Sequence, residues 1–458
     1  MRKNILLLLL ALLLPAGALA DAPLCYYRYR VSLADKKNNP YTLRHPEAFL
    51  SQKALDRRAK YKIKVDKYDL PVTPAYLDGL RQAGVRVVNA SKWNNTVLVE
   101  TSDSTLADTL ARLPYVAAVR RVWKGTGVSM GAMNPSRRNE VTNRRDTLSS
   151  FYGHARRQVE MLGVDKLHAA GFRGEGLTIA ILDGGFYNAD CLDALSQAKI
   201  LGTRNFACPG VEVYEAQSHG MMVLSCIAAN WPNSLVGTAP DASFYLLVSE
   251  VGSSESLMEE DNWCAAVEYA DSVGADIVTS SLGYFSFDCK DDDYKYRELD
   301  GRTSAASRVA SLAASRGMLL LNSAGNSGDE PWKKISVPAD APDILTVGAV
   351  RADGLNANFS SLGNTADGRV KPDVAAMGEA SALLLSDGSV GFANGTSFST
   401  PILCGAVACL WQAFPHCTPL EIINAVRQSG DRADFPDNVF GYGIPDLWKA
   451  YGKLQHAK

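Results

Sequence analysis

Beyond residue 20, this chain of 458 residues contains no apolar run approaching the roughly 18 residues that a membrane-spanning helix needs. Its nine cysteines include no Cys-x-x-Cys pair, so the usual spacing of a zinc site is missing. Net charge is also scarce: the formal value is −2, too small to point to a partner by itself. Charged residues make up 21% and hydrophobic residues 47%, the balance of an ordinary globular protein with enough length for a large core and more than one domain.

The small net charge conceals an asymmetry. Residues 21–150 carry 23 Lys and Arg against 12 Asp and Glu, a balance of +11. Residues 151–458 carry 22 against 37, a balance of −15. Segments of opposite sign attract each other and repel their own copies. The positive charges are interspersed with apolar and acidic residues, which argues against nucleic acid as a partner.

Residues 1–20 follow the plan of a secretory signal: Arg2 and Lys3, then an apolar stretch ending in Ala18-Leu19-Ala20. The stretch is short and broken by Pro15, which opposes a stable membrane anchor, and Leu24 is bulky for lipidation at Cys25. The expected product is exported, to the periplasm or outside the cell. In an oxidising compartment Cys191 could pair with Cys208, and Cys264 with Cys289. Cys226, Cys404 and Cys409 lie in apolar helical patterns and are expected as buried thiols.

Along the chain, residues 21–125 mix strands ("CYYRYRVSL", "VRVVNAS", "TVLVETS", "YVAAVRRVW") with helices ("TPAYLDGLRQAG", "STLADTLARL"). The pattern predicts a small α+β domain. "HPEAFLSQKALDRRAKYKI" predicts a further helix with an exposed basic face. Residues 126–155 read as a linker, rich in Gly, Asn, Pro and Arg-Arg pairs. It contains Gly127-Val128-Ser129-Met130-Gly131, the Gly-x-Ser-x-Gly pattern of an esterase nucleophile. That motif needs a strand running into a buried helix, whereas Asn-Pro-Ser-Arg-Arg follows here, so the match is read as accidental. From residue 156 to 458, short Ile/Leu/Val-rich strands alternate with helices. Strands without polar alternation are covered on both faces. The order predicts an α/β fold with a doubly wound, mostly parallel sheet, whose functional groups gather beyond the strands' carboxyl ends.

Four polar residues fall at such places. Asp183 ends "LTIAILD" and precedes Gly184-Gly185; capping of a helix is its plain alternative. His219 opens "HGMMVLSCIAA". Asn326 lies in Ala-Gly-Asn-Ser-Gly, which a turn would also explain. Ser397 lies in "NGTSFSTP", with Pro401 expected in the first turn of the following helix; N-capping would suit it equally.

Taken together, "IAILDGG", "SHGMMV", "SSLG" at 280–283, "NSAGNSG" and "NGTSFSTP" resemble the subtilisin-like serine peptidases over residues 156–451, in the order Asp, His, Ser. Residues 21–125 resemble the propeptides of that family in size and pattern. The resemblance implies a subtilisin-like fold and peptide-bond hydrolysis through an acyl-enzyme on Ser397. It makes His219 the general base and acid, Asp183 its orienting partner and Asn326 the oxyanion donor. Ser281, Leu282 and Gly283 would wall the substrate cleft. A peptide or protein would be the substrate, residues 21–125 would act as an intramolecular inhibitor, and cleavage would fall within the linker. The chemistry needs no cofactor, no metal ligand set is assigned, and no structural calcium site is legible; the acidic stretch 288–301 lacks the ordered oxygens and central glycine of a calcium loop. Gly184, Met221 and Phe398 depart from the family's commoner residues without removing a catalytic atom. The alternatives are an esterase using Ser129 and a non-catalytic peptide-binding protein.

Overall fold

The computed structural model describes residues 25–127, 141, 143 and 147–456. The first unit comprises β1 (Tyr26–Leu33), α1 (Gln52–Lys60), α2 (Pro74–Gln82), β2 (Arg86–Ser91), β3 (Thr96–Thr101), α3 (Leu106–Ala111) and β4 (Val116–Gly125). Its strands form an antiparallel sheet in the order β2-β3-β1-β4. Strand alternation divides the side chains between two cores. Val97 and Val99 join Tyr29, Val31 and Leu80 in a small core of this unit, whereas Leu98, with Trp93 and Val122, packs into the larger core of the second. The sheet is therefore seated on the second unit by its own pleat.

The second unit begins with α4 (Arg156–Glu160), α5 (Val164–Ala169), β5 (Thr178–Asp183), β6 (Lys199–Asn205), α6 (His219–Ala228), β7 (Asn230–Trp231), β8 (Leu235–Val236) and β9 (Ser243–Val248). It continues with α7 (Leu257–Val273), β10 (Ile277–Ser280), α8 (Ala305–Ser315), β11 (Leu319–Ser323), β12 (Leu345–Val350) and β13 (Val374–Met377). A hairpin, β14 (Ser381–Leu384) and β15 (Val390–Ala393), precedes α9 (Thr396–Ala413), α10 (Pro419–Ser429) and α11 (Leu447–His456). Seven strands form one sheet, β13-β12-β11-β10-β5-β9-β6, parallel throughout. Every residue of β5, β10, β11, β12 and β13 is buried, as expected for strands with helices on both faces. Helices α7 and α8 pack as one pair and α6 with α9 as another, with α9 lying along β10 to β13.

The expected exposed basic face of α1 is corrected. Arg57 and Arg58 are 5% and 2% exposed, and both pair with Asp271 near the end of α7. Lys92 reaches the same carboxylate at 3.3 Å. Arg30 pairs with Asp261 at 2.6 Å, and Glu268 accepts from the Ser91 hydroxyl and from the Lys92 and Trp93 N–H groups. Unlike charges on the two units thus meet along α7, and the basic face is the docking face. Cysteine is corrected too: Cys264 is buried on α7 and accepts from Asn94 at 3.5 Å, Cys289 is exposed, and they are not bonded. Cys226, Cys404 and Cys409 are buried thiols, as expected.

Candidate active site

Strand β5 delivers Asp183 to the carboxyl edge of the sheet with a side chain only 1% exposed. Helix α6 starts on His219 and lies hard against that edge because residue 220 is glycine. A Cβ there would come within 2.6 Å of the Gly185 carbonyl oxygen and 2.8 Å of Asp183 Cβ. Asp183 Oδ1 therefore meets His219 Nδ1 at 2.8 Å, while also accepting the Gly184 N–H at 2.7 Å. A carboxylate at Nδ1 holds the proton there and leaves Nε2 as the free ring nitrogen. Burial opposes the charged imidazole, but the charge and hydrogen bond of Asp183, with Glu250 beyond, outweigh it. His219 is held above its ordinary value of 6.5.

Helix α9 begins at Thr396, with Gly395 as its N-cap, so Ser397 lies inside the first turn and is not the capping residue. Pro401 is one turn later than expected, inside the helix. A proline there has no N–H for the carbonyl four residues back. That carbonyl belongs to Ser397, and it accepts instead from the Ser281 hydroxyl at 2.8 Å. Ser397 is 9% exposed, and its Oγ lies 3.5 Å from the Ser281 carbonyl. The ring of the next residue, Phe398, lies 5.7 Å from the His219 ring, which brings the histidine beside the head of α9.

Asn326 is exposed in the loop after β11. Its Oδ1 accepts from both the N–H and the hydroxyl of Thr396 at 2.9 Å. A main-chain N–H can only donate, so this identifies the carboxamide oxygen and leaves the amide N–H groups free to point elsewhere. Asn326, Thr396 and Ser397 line one cavity with Ser281, Leu282 and Gly283. Asp183 and His219 line a neighbouring one, also bounded by Leu282. The residues singled out in the sequence thus converge on two adjoining hollows at the carboxyl ends of β5, β10 and β11.

Ser129 and residues 1–20 lie outside the described residues. Among those described, no group of three or more His, Cys, Asp or Glu side chains is placed to hold a metal. The acidic loop is tethered as well as solvated: Asp292 pairs with Arg120 at 2.7 Å, and Tyr294 donates to Glu260 at 2.6 Å. Two carboxylates at the site were missed. Glu250 and Glu255 line both hollows. The available signal was a glutamate two residues beyond β9, at the same edge as Asp183.

The profile of the subtilase family matches residues 174–443. This chain belongs to the subtilase family. It is a subtilisin-like serine protease, and residues 28–139 match the peptidase S8 propeptide domain of Bacteroidota. The protease is 27% identical over 293 residues to subtilisin NAT of Bacillus subtilis subsp. natto, covering 62% of this chain and 68% of that one. It is 28% identical over 304 residues to serine protease AprX of Bacillus subtilis (strain 168), covering 59% and 65%. Among solved structures, its fold is similar to that of MycP1 with the N-terminal propeptide removed, at TM-score 0.52 and 23% identity, covering 64% of this chain and 96% of that one. MycP1 from Mycobacterium smegmatis superposes at 0.51 with 22% identity, covering 67% and 87%.

Proposed function

We propose that the protease is an exported endopeptidase whose nucleophile is Ser397. Its Oγ attacks a peptide carbonyl, His219 Nε2 takes the proton and later gives it to the leaving amine, and Asp183 orients the ring and stabilises its charged form. The developing oxyanion is received by the Asn326 amide and the Ser397 N–H, at the positive end of α9. None of these steps calls on a cofactor. Hydrogen bonds among catalytic groups are often long before substrate binds, which accommodates the Ser397 hydroxyl's present position. The observation that carries the reading is the 2.8 Å contact of buried Asp183 with His219 beside the cavity of Ser397 and Asn326. Residues 21–125 serve as the intramolecular inhibitor, released by cleavage within 126–155.

A fluorophosphonate probe tests the assignment. Labelling is expected in the native chain and in Ser129→Ala, and lost in Ser397→Ala. Labelling lost in Ser129→Ala alone would favour the esterase reading, and no labelling at all would favour the non-catalytic one. N-terminal sequencing of the active form locates the processing site, and sequencing of the released segment or of the unprocessed Ser397→Ala chain, on material isolated from the source, reports removal of residues 1–20.

A further inference from the structure

The two hollows share Glu250, Glu255 and Leu282. The hollow at His219 measures about 430 Å³ and adds Asp183, Glu259 and Asp288 to its lining, with no lysine or arginine among the described residues. The hollow at Ser397 measures about 260 Å³. Ser336 lines it, is 4% exposed, and its hydroxyl has no hydrogen-bond partner. It lies under Gly283, where a Cβ would come within 2.0 Å of its Oγ. An enclosed hydroxyl without a partner costs free energy that a polar ligand group would recover. Lys334 also lines this hollow, but its Nζ is bound to the Gly363 carbonyl at 2.8 Å and lies 4.9 Å from the Tyr296 ring centre. Asp183 is paired with His219, but among the described residues neither Glu250 nor Glu255 is paired with a lysine or arginine.

We infer that Glu250 and Glu255 select peptides carrying a lysine or arginine within a few residues of the scissile bond, receiving its cationic head between them. The inference rests on the endopeptidase reading and adds its substrate class. Glu250 is held by hydrogen bonds from the Tyr284 and Ser249 hydroxyls, which fix its carboxylate at the cleft. Burial raises Glu250 to about 8, against those two hydrogen bonds and with the help of Glu255 and Asp183. Burial and Asp288 raise Glu255 to about 7. The charged or titratable groups facing Glu250 are Glu255 and Glu259 from the loop before α7 and its first turn, Asp183 from β5 and His219 from α6. Tyr284 and Asp288 face it from the segment after β10, and Lys334 from the loop after β11. Without ligand these carboxyls hold a proton near neutrality. An entering ammonium or guanidinium releases that proton to solvent and takes its place, so the preference strengthens as pH rises through 7 to 8.

The test compares peptides that differ only in lysine, norleucine or glutamate at positions flanking the cut, using the processed enzyme. Lysine is expected to exceed norleucine about tenfold in kcat/KM at pH 8, with a smaller ratio at pH 6. The ratio should fall about fivefold or more in Glu250→Gln and in Glu255→Gln, and Glu255→Lys should shift the preference towards glutamate. Comparing peptides within each variant keeps the ratio independent of its absolute activity. An enzyme that cuts all three peptides alike, or that keeps its ratio in both glutamine variants, would overturn the inference while leaving the endopeptidase reading intact. A native chain that neither takes fluorophosphonate nor cuts any peptide overturns both.

Discussion

Ser281 donates its hydroxyl to the main-chain carbonyl of Ser397 at 2.8 Å, the bond that a residue other than proline at 401 would supply from its own backbone. Ser281 is thereby fastened to Ser397, the proposed nucleophile. Ser281→Ala leaves a buried carbonyl without a partner and is expected to lose about 1–3 kcal/mol of stability in denaturant unfolding. Adding Pro401→Ala restores an N–H within reach, so the double variant should recover part of that loss. No recovery would mean that Ser281 acts otherwise.

The Asp183–His219 contact predicts a pH profile. His219 must be neutral to accept a proton, and its pKa is raised, so kcat/KM should rise with pH through an apparent pKa above 6.5. Asp183→Asn removes the charge that raises it. The acid limb should move down, and kcat should fall on the order of 10⁴-fold.

Asn326 is oriented by Thr396 and not by its own loop alone. Asn326→Ala should lower kcat about 100- to 1,000-fold with little change in KM, as expected for a group that acts on the transition state. Thr396→Val, which keeps the N–H but loses the hydroxyl, should give a smaller fall in the same parameter. A KM effect alone would place Asn326 in ground-state binding.

Docking of the propeptide domain centres on Asp271. Burial alone would raise its pKa, but Lys92, Arg57 and Arg58 hold it at about 2. The sign follows: docking gains from this carboxylate above its undocked pKa and loses the gain as pH falls towards 2. Asp271→Asn strands the buried Arg57 guanidinium and leaves Arg58 with Asp69 alone, a loss of roughly 3–5 kcal/mol. Inhibition of the mature enzyme by the separated domain should weaken about 100-fold or more. Salt should slow association more than it speeds release. The exposed Lys53–Asp276 and Arg120–Asp292 pairs are screened, whereas the buried ones are not.

Phe398 is 4% exposed and stands beside Ser397, the proposed nucleophile, where an oxidisable methionine is the commoner residue of the family. Peroxide should leave native activity largely intact, and Phe398→Met should make it sensitive. Rapid loss in the native enzyme, unaffected by changing any other methionine or cysteine, would contradict this.

The sequence by itself determined the parallel α/β frame and the positions of Asp183, His219, Asn326 and Ser397. These are local signals: unbroken Ile/Leu/Val runs mark strands covered on both faces, and a polar residue next to glycine marks a strand end or helix start. Only the tertiary structure decided which polar groups meet. The partner of Arg57 and Arg58 lies 214 and 213 residues away, so a face that reads as solvated became the buried docking face. Pro401 could be recognised as a helix residue, but its proper turn depended on Ser281, 116 residues before Ser397. Glu250 and Glu255 acquire meaning only when β5, α6, β9 and the loop after β10 close around them. Helical and strand periodicity report burial along one element, whereas charge pairing and cavities depend on how separate elements pack.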